Sequence, residues 1–109
     1  MNKQNKILGL IGLATKAGKI SFGTEAVKES VLRKKAKLVI IAEDASDRLK
    51  NVFIQLCEKC RIPIATFCTI EEISKAIGKE NKSVICIKDK NFSEEIYKII
   101  CGGWSYWVV

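Results

Sequence analysis

Gly12, Gly18 and Lys19 are the first residues whose types suggest chemistry, because glycines ahead of a Gly-Lys pair can cradle a phosphate. The spacing speaks against it. One residue too many separates Gly12 from Gly18, and Ile20 stands where a Ser or Thr would hold magnesium. Gly18-Lys19 also reads as the end of a helix entering a strand, the reverse of the order a phosphate loop needs. Cys57 and Cys60, in "CEKC", have the spacing of half a zinc site or of a redox pair. A structural zinc needs two more ligands, but the chain has no histidine and no second closely spaced cysteine pair. Both sulfurs fall on an apolar helical stripe, so they read as core. Without histidine there is no Ser-His or Cys-His nucleophile. Glu43 and Asp44 follow an apolar run and read as acids that steer the next helix. We therefore expect no enzyme activity, no metal and no cofactor.

An anion has one better place to land. Gly23 precedes a helix that begins near Thr24, and a helix amino end offers free N–H groups and a positive dipole end. Lys16, Lys19 and Lys28 are expected to surround that tip. Set against this is an ordinary solvated helix with Thr24 as its cap.

Charge favours the first reading. Lys and Arg number 19 against 12 Asp and Glu, a net charge of +7. Residues 1–37 carry nine of the basic residues and only two acids, Glu25 and Glu29, so the whole excess lies in the first third. A polyanion is the natural partner of such a surface. Five cysteines without disulfide spacing suit a reducing compartment. The early "ILGLIGLA" is too short for a membrane span and lacks a signal-peptide cleavage site. These features predict a cytoplasmic monomer with no membrane contact.

The elements that position these residues follow from periodicity. Residues 37–42, "KLVIIA", form a β-branched run of the kind buried on both faces. Residues 63–67, 83–87 and 19–22 read as three more strands of the same sheet. Five helical stretches lie between them. The clearest, at 46–60, is capped by Ser46 and shows one apolar face from Leu49 to Cys60. "TIEE" at 69–72 is a capping box for a helix stopping near Gly78, and Ser93 is expected to open the last helix. Alternating elements with short connections predict an α/β fold, with residues 1–101 as one domain and 102–109 as a tail. That tail holds Trp104, Tyr106 and Trp107. It suits base stacking, partner docking or an added strand.

The ordered run "AGKISFGTEAVKESVLRKKAKLVIIAEDAS", followed by "IPIATFCTIEEISKAIGKE", resembles the kink-turn-binding ribosomal proteins of the L7Ae/L30e superfamily. Its "LGLA", "AGK" and "AEDAS" are most similar to the small bacterial YlxQ-type branch. The resemblance implies a three-layer α-β-α sandwich with a four-stranded mixed sheet. It further implies no catalysis, and recognition of kink-turn-like or ribosomal RNA by the start of the second helix and the loop before the fourth. On this chain those positions are Gly18, Gly23, Thr24, Glu25 and Lys28, with Phe67, Cys68, Thr69 and Ile70 as the apolar loop. A gapless alignment puts Glu25, Ala26 and Glu29 on the family's base-contacting Asn, Glu and Lys, whereas a one-residue slip would put Thr24, Glu25 and Lys28 there. A slip turns the helix by about 100°, and only the gapless register keeps Val27 and Val31 buried. All three contacting residues are then replaced. RNA, and with it the ribosome, is the expected partner. The competing expectation is a protein-interaction module on the same sandwich, docking through the aromatic tail.

Overall fold

Two runs too apolar to face water become the middle of the sheet. The computed structural model describes residues 3–100, in the order α1 (Lys3–Lys16), β1 (Ile20–Phe22), α2 (Thr24–Leu32), β2 (Leu38–Ile41), α3 (Asp47–Cys60), β3 (Ile64–Thr66), α4 (Ile70–Ile77), β4 (Val84–Ile87) and α5 (Lys90–Ile100). The sheet runs β1-β4-β2-β3. β2 and β4 pair antiparallel at its centre, and all eight of their residues are fully buried. Burial on both faces requires helices on both faces. α1 packs with α4 and α5 in one layer, and α2 packs with α3 in the other. β2 and β3 are parallel while β1 runs antiparallel to β4, so the sheet is mixed. The expected three-layer sandwich, with five helices and four strands, is what the described residues form.

Strand and helix ends carry the sequence signals. Ser46 accepts a hydrogen bond from the Leu49 N–H at 3.1 Å, capping α3. Thr69 and Glu72 make the full capping box on α4, and Gly78 ends that helix with φ 72°. One boundary differs from the sequence reading. α5 opens at Lys90 and not at Ser93, because the Asp89 carboxylate accepts the Phe92 N–H at 2.9 Å and the Asp89 carbonyl accepts the Ser93 N–H at 3.0 Å. Ser93 is buried one turn inside the helix. Cys57 is fully buried, with Cys60 packed half-buried against the same core. Burial pushes the Cys57 thiol up to about 12. The aromatic tail lies outside the described residues.

Candidate nucleic-acid interface

Strand direction decides which connections meet. Phe22 pairs with Ile85, Ile41 with Val84, and Ile41 with Thr66. The carboxyl ends of β1, β2 and β3 and the amino end of β4 therefore share one end of the sheet. Gly23, the 42–46 connection, Phe67 to Thr69 and the 78–83 connection gather there. So do the amino ends of α2, α3 and α4, and ligands of open α/β sheets favour this end.

Of these three helix starts, two are closed by side chains. Ser46 caps α3. On α4, Thr69 accepts the Glu72 N–H at 3.1 Å, Glu72 accepts the Thr69 N–H at 2.9 Å, and Asp44 accepts the Ile70 N–H at 2.8 Å. α2 starts at Gly23, which offers no side-chain cap. The backbone still fixes this corner, since the Gly23 N–H donates to the Val84 carbonyl and the Val27 N–H to the Gly23 carbonyl, both at 3.0 Å. A rigid, uncapped first turn with Thr24, Glu25 and Ala26 exposed around it is an anion receptor in waiting.

The rim of this end is partly aromatic and basic. Phe22 is half-buried beside Gly23, with the Lys79 and Lys82 ammonium groups 5.2 and 5.5 Å from its ring centroid. Sequence reasoning missed all three. Phe22 and Lys79 lie far apart in the chain, and only the pairing of β1 with β4 brings them together. Phe67 and Ile70 are half-buried and offer an apolar shelf. The other two loop residues are spent on the fold. Cys68 is buried with φ 66°, its carbonyl accepting the Glu43 N–H at 2.7 Å, and Thr69 is used in the capping box. Burial, then the nearby Glu72 and Glu43, push the Cys68 thiol up to about 12, so it stays protonated.

The expected ring of lysines around the α2 tip does not form. Lys16, Gly18 and Lys19 lie at the opposite end of the sheet, where β1 begins and the Lys88 N–H donates to the Lys19 carbonyl at 2.8 Å. The reason is topological: β1 runs its full length between Lys19 and Gly23. Lys28 stays on α2, one turn past the tip, and lines a groove with Leu32, Val52 and Lys59. Val27 and Val31 are fully buried, as the gapless register demands. Glu29 is exposed and paired with Arg33 at 3.4 Å. In the connections at the α2-tip end stand two basic residues, Lys79 and Lys82, against Glu43, Asp44 and Glu80. The connections at the far end hold seven basic residues (Lys19, Arg33, Lys34, Lys35, Lys37, Arg61 and Lys88) against Asp89 alone. The surplus charge thus sits mostly away from the uncapped tip.

Fold and site together define a class: an α-β-α sandwich that presents one open helix amino end between an aromatic-basic rim and an apolar loop. The model of the ribosomal protein L7Ae/L30e/S12e/Gadd45 family matches residues 5–97, and the chain belongs to that family. It is 35% identical to the RNA-binding protein YlxQ of Enterococcus faecium, over 94% of this chain and 100% of that one. It is 32% identical to the large ribosomal subunit protein eL8 of Thermoplasma volcanium, over 90% of this chain and 82% of that protein. Among solved structures it resembles a Bacillus halodurans C protein of unknown function, with TM-score 0.85 and 32% identity over 88% of this chain and 97% of that one. It shares its fold with the Giardia lamblia 15.5kD RNA binding protein, at TM-score 0.76 and 23% identity over 92% and 86% of the two chains.

Proposed function

We propose that this protein is a non-catalytic, ribosome-associated RNA-binding protein of the cytoplasm, acting as a monomer on structured RNA. The observation that carries the reading is the open amino end of α2. Its two neighbours are capped and it is not. Backbone N–H groups there can meet a phosphate or a base edge without any catalytic group. Phe22, with Lys79 and Lys82 over it, and the Phe67–Ile70 shelf supply the stacking and charge-assisted contacts that unpaired bases require. The names of the YlxQ and eL8 relatives agree with this chemistry. An acid at Glu25 and alanine at Ala26, where the resemblance places an amide and an acid, favour a modified kink-turn or another sheared internal loop over the standard motif.

Fluorescence anisotropy with two labelled hairpins tests this, one carrying an internal loop of tandem sheared G·A pairs and one fully paired. Preference for the internal loop, weakened by Lys79→Gln with Lys82→Gln, is the expected result. Those two changes should lower the slope of log affinity against log salt by about two. Absence of binding to either RNA at low salt, or an affinity indifferent to both substitutions, defeats the reading.

A further inference from the structure

Three cations at the far end of the sheet stand where the backbone disfavours them, and all three line one cleft. Lys34 and Arg61 have φ 61° in the left-handed region, just past the ends of α2 and α3. Glycine is the usual residue at such a stop, because any Cβ is strained there. At the end of α4 the same turn is made by Gly78. Lys90 opens α5 at the positive end of its helix dipole, where the one acid beside it is the capping Asp89. With Lys37 these residues line a cleft of about 490 Å³, floored by Ile62 and Pro63 and bearing one acid, Glu94.

The bland explanation is that lysines at helix carboxyl ends complement the dipole. It covers residues 33–35 and Arg61, but neither Lys90 nor Lys19 and Lys88, which lie on neighbouring strand ends joined by a backbone hydrogen bond. The Lys37 N–H donates to the Ile87 carbonyl at 2.8 Å, adding another cation to that row. Among the described residues, the ion pair formed is Arg33 with Glu29, which leaves the cleft cations unpaired. Like charges that outnumber the acids beside them, Glu94 and Asp89, two of them at positions that cost the fold stability, call for an external anion. We propose that this end is a second RNA-contacting surface that holds the sugar–phosphate backbone of a segment distinct from the one met by the α2 tip. Arg61 supplies a planar fork suited to phosphate oxygens, and the three lysines supply point charges. The proposal rests on the RNA-binding reading above and adds to it that one protein bridges two stretches of RNA.

The experiment uses the fully paired hairpin, which lacks the internal loop of sheared G·A pairs. Changing Lys34, Lys37, Arg61 and Lys90 together to Gln should weaken its binding by roughly tenfold or more and lower the salt slope by about three to four. Lys79→Gln with Lys82→Gln, at the other end of the sheet, should lower that slope by less than the fourfold change does. A second pair, Lys34→Gly with Arg61→Gly, should raise the melting temperature while weakening RNA binding, an opposition that a purely structural role does not produce. The inference falls if the fourfold variant keeps wild-type affinity and slope, or if the glycine pair melts higher with RNA binding unchanged. Should the wild-type protein bind neither hairpin, the RNA-binding reading falls first and this one with it.

Discussion

Gly23 has φ 89° and ψ 156°, a backbone region that only glycine enters without strain. A Cβ built there meets no atom within 4 Å, so the cost of a side chain is conformational and not steric. Gly23→Ala should therefore destabilise the fold by about 1–3 kcal/mol, read as a lowered urea midpoint with unchanged slope. A residue forced out of that region would also turn the first N–H groups of α2 away from their present aim. Glu29 makes the complementary prediction. Its pair with Arg33 is two-thirds exposed on both sides, a geometry that contributes at most about 1 kcal/mol. Glu29→Lys should leave stability within that margin, tighten binding to the internal-loop hairpin and steepen its salt slope by about one. An unchanged slope would show that position 29 does not face RNA.

Of the three helices that start at the Gly23 end of the sheet, two close their own amino ends and one does not. Thr69→Ala removes the hydroxyl that accepts the Glu72 N–H and should cost about 1 kcal/mol in chemical denaturation. RNA affinity should hold, because α4 has no free tip to lose. Most of this scale was legible in the sequence. The apolar runs around Leu38–Ile41 and Val84–Ile87, the Ser46 cap and the Thr69–Glu72 box are local patterns, and local patterns survive folding. The start of α5 was missed because Asp89 outcompetes Ser93 as a cap, a contest decided by where β4 ends. The placement of Lys16 and Lys19 was missed for a larger reason. Proximity in sequence to Gly23 suggested proximity in space, but a strand between them carries the chain from one end of the sheet to the other. Lys79, Lys82 and Phe22 show the converse, three residues remote in sequence that only strand pairing brings together.

At the scale of the molecule, the buried thiols tie stability to pH. Burial pushes Cys57 and Cys68 from 9.0 up to about 12, and Cys86 moves in the same direction. In the unfolded chain these thiols ionise at their ordinary value, while the folded chain keeps them protonated. Their contribution is fully present below pH 9.0 and is lost as pH climbs towards about 12, since over that window the unfolded chain sheds protons that the folded one retains. The urea midpoint should fall accordingly, and Cys57→Ala or Cys68→Ala should make it fall less steeply. A midpoint equally pH-sensitive in those variants would refute the assignment to these thiols.

The outer strands of the sheet, β1 and β3, are three residues each. One runs out at Gly23, and the other is entered through Pro63, which has no N–H to donate. A foreign strand arriving at either border finds only a few open hydrogen-bonding groups before the chain turns away, too few to seed a growing cross-β stack.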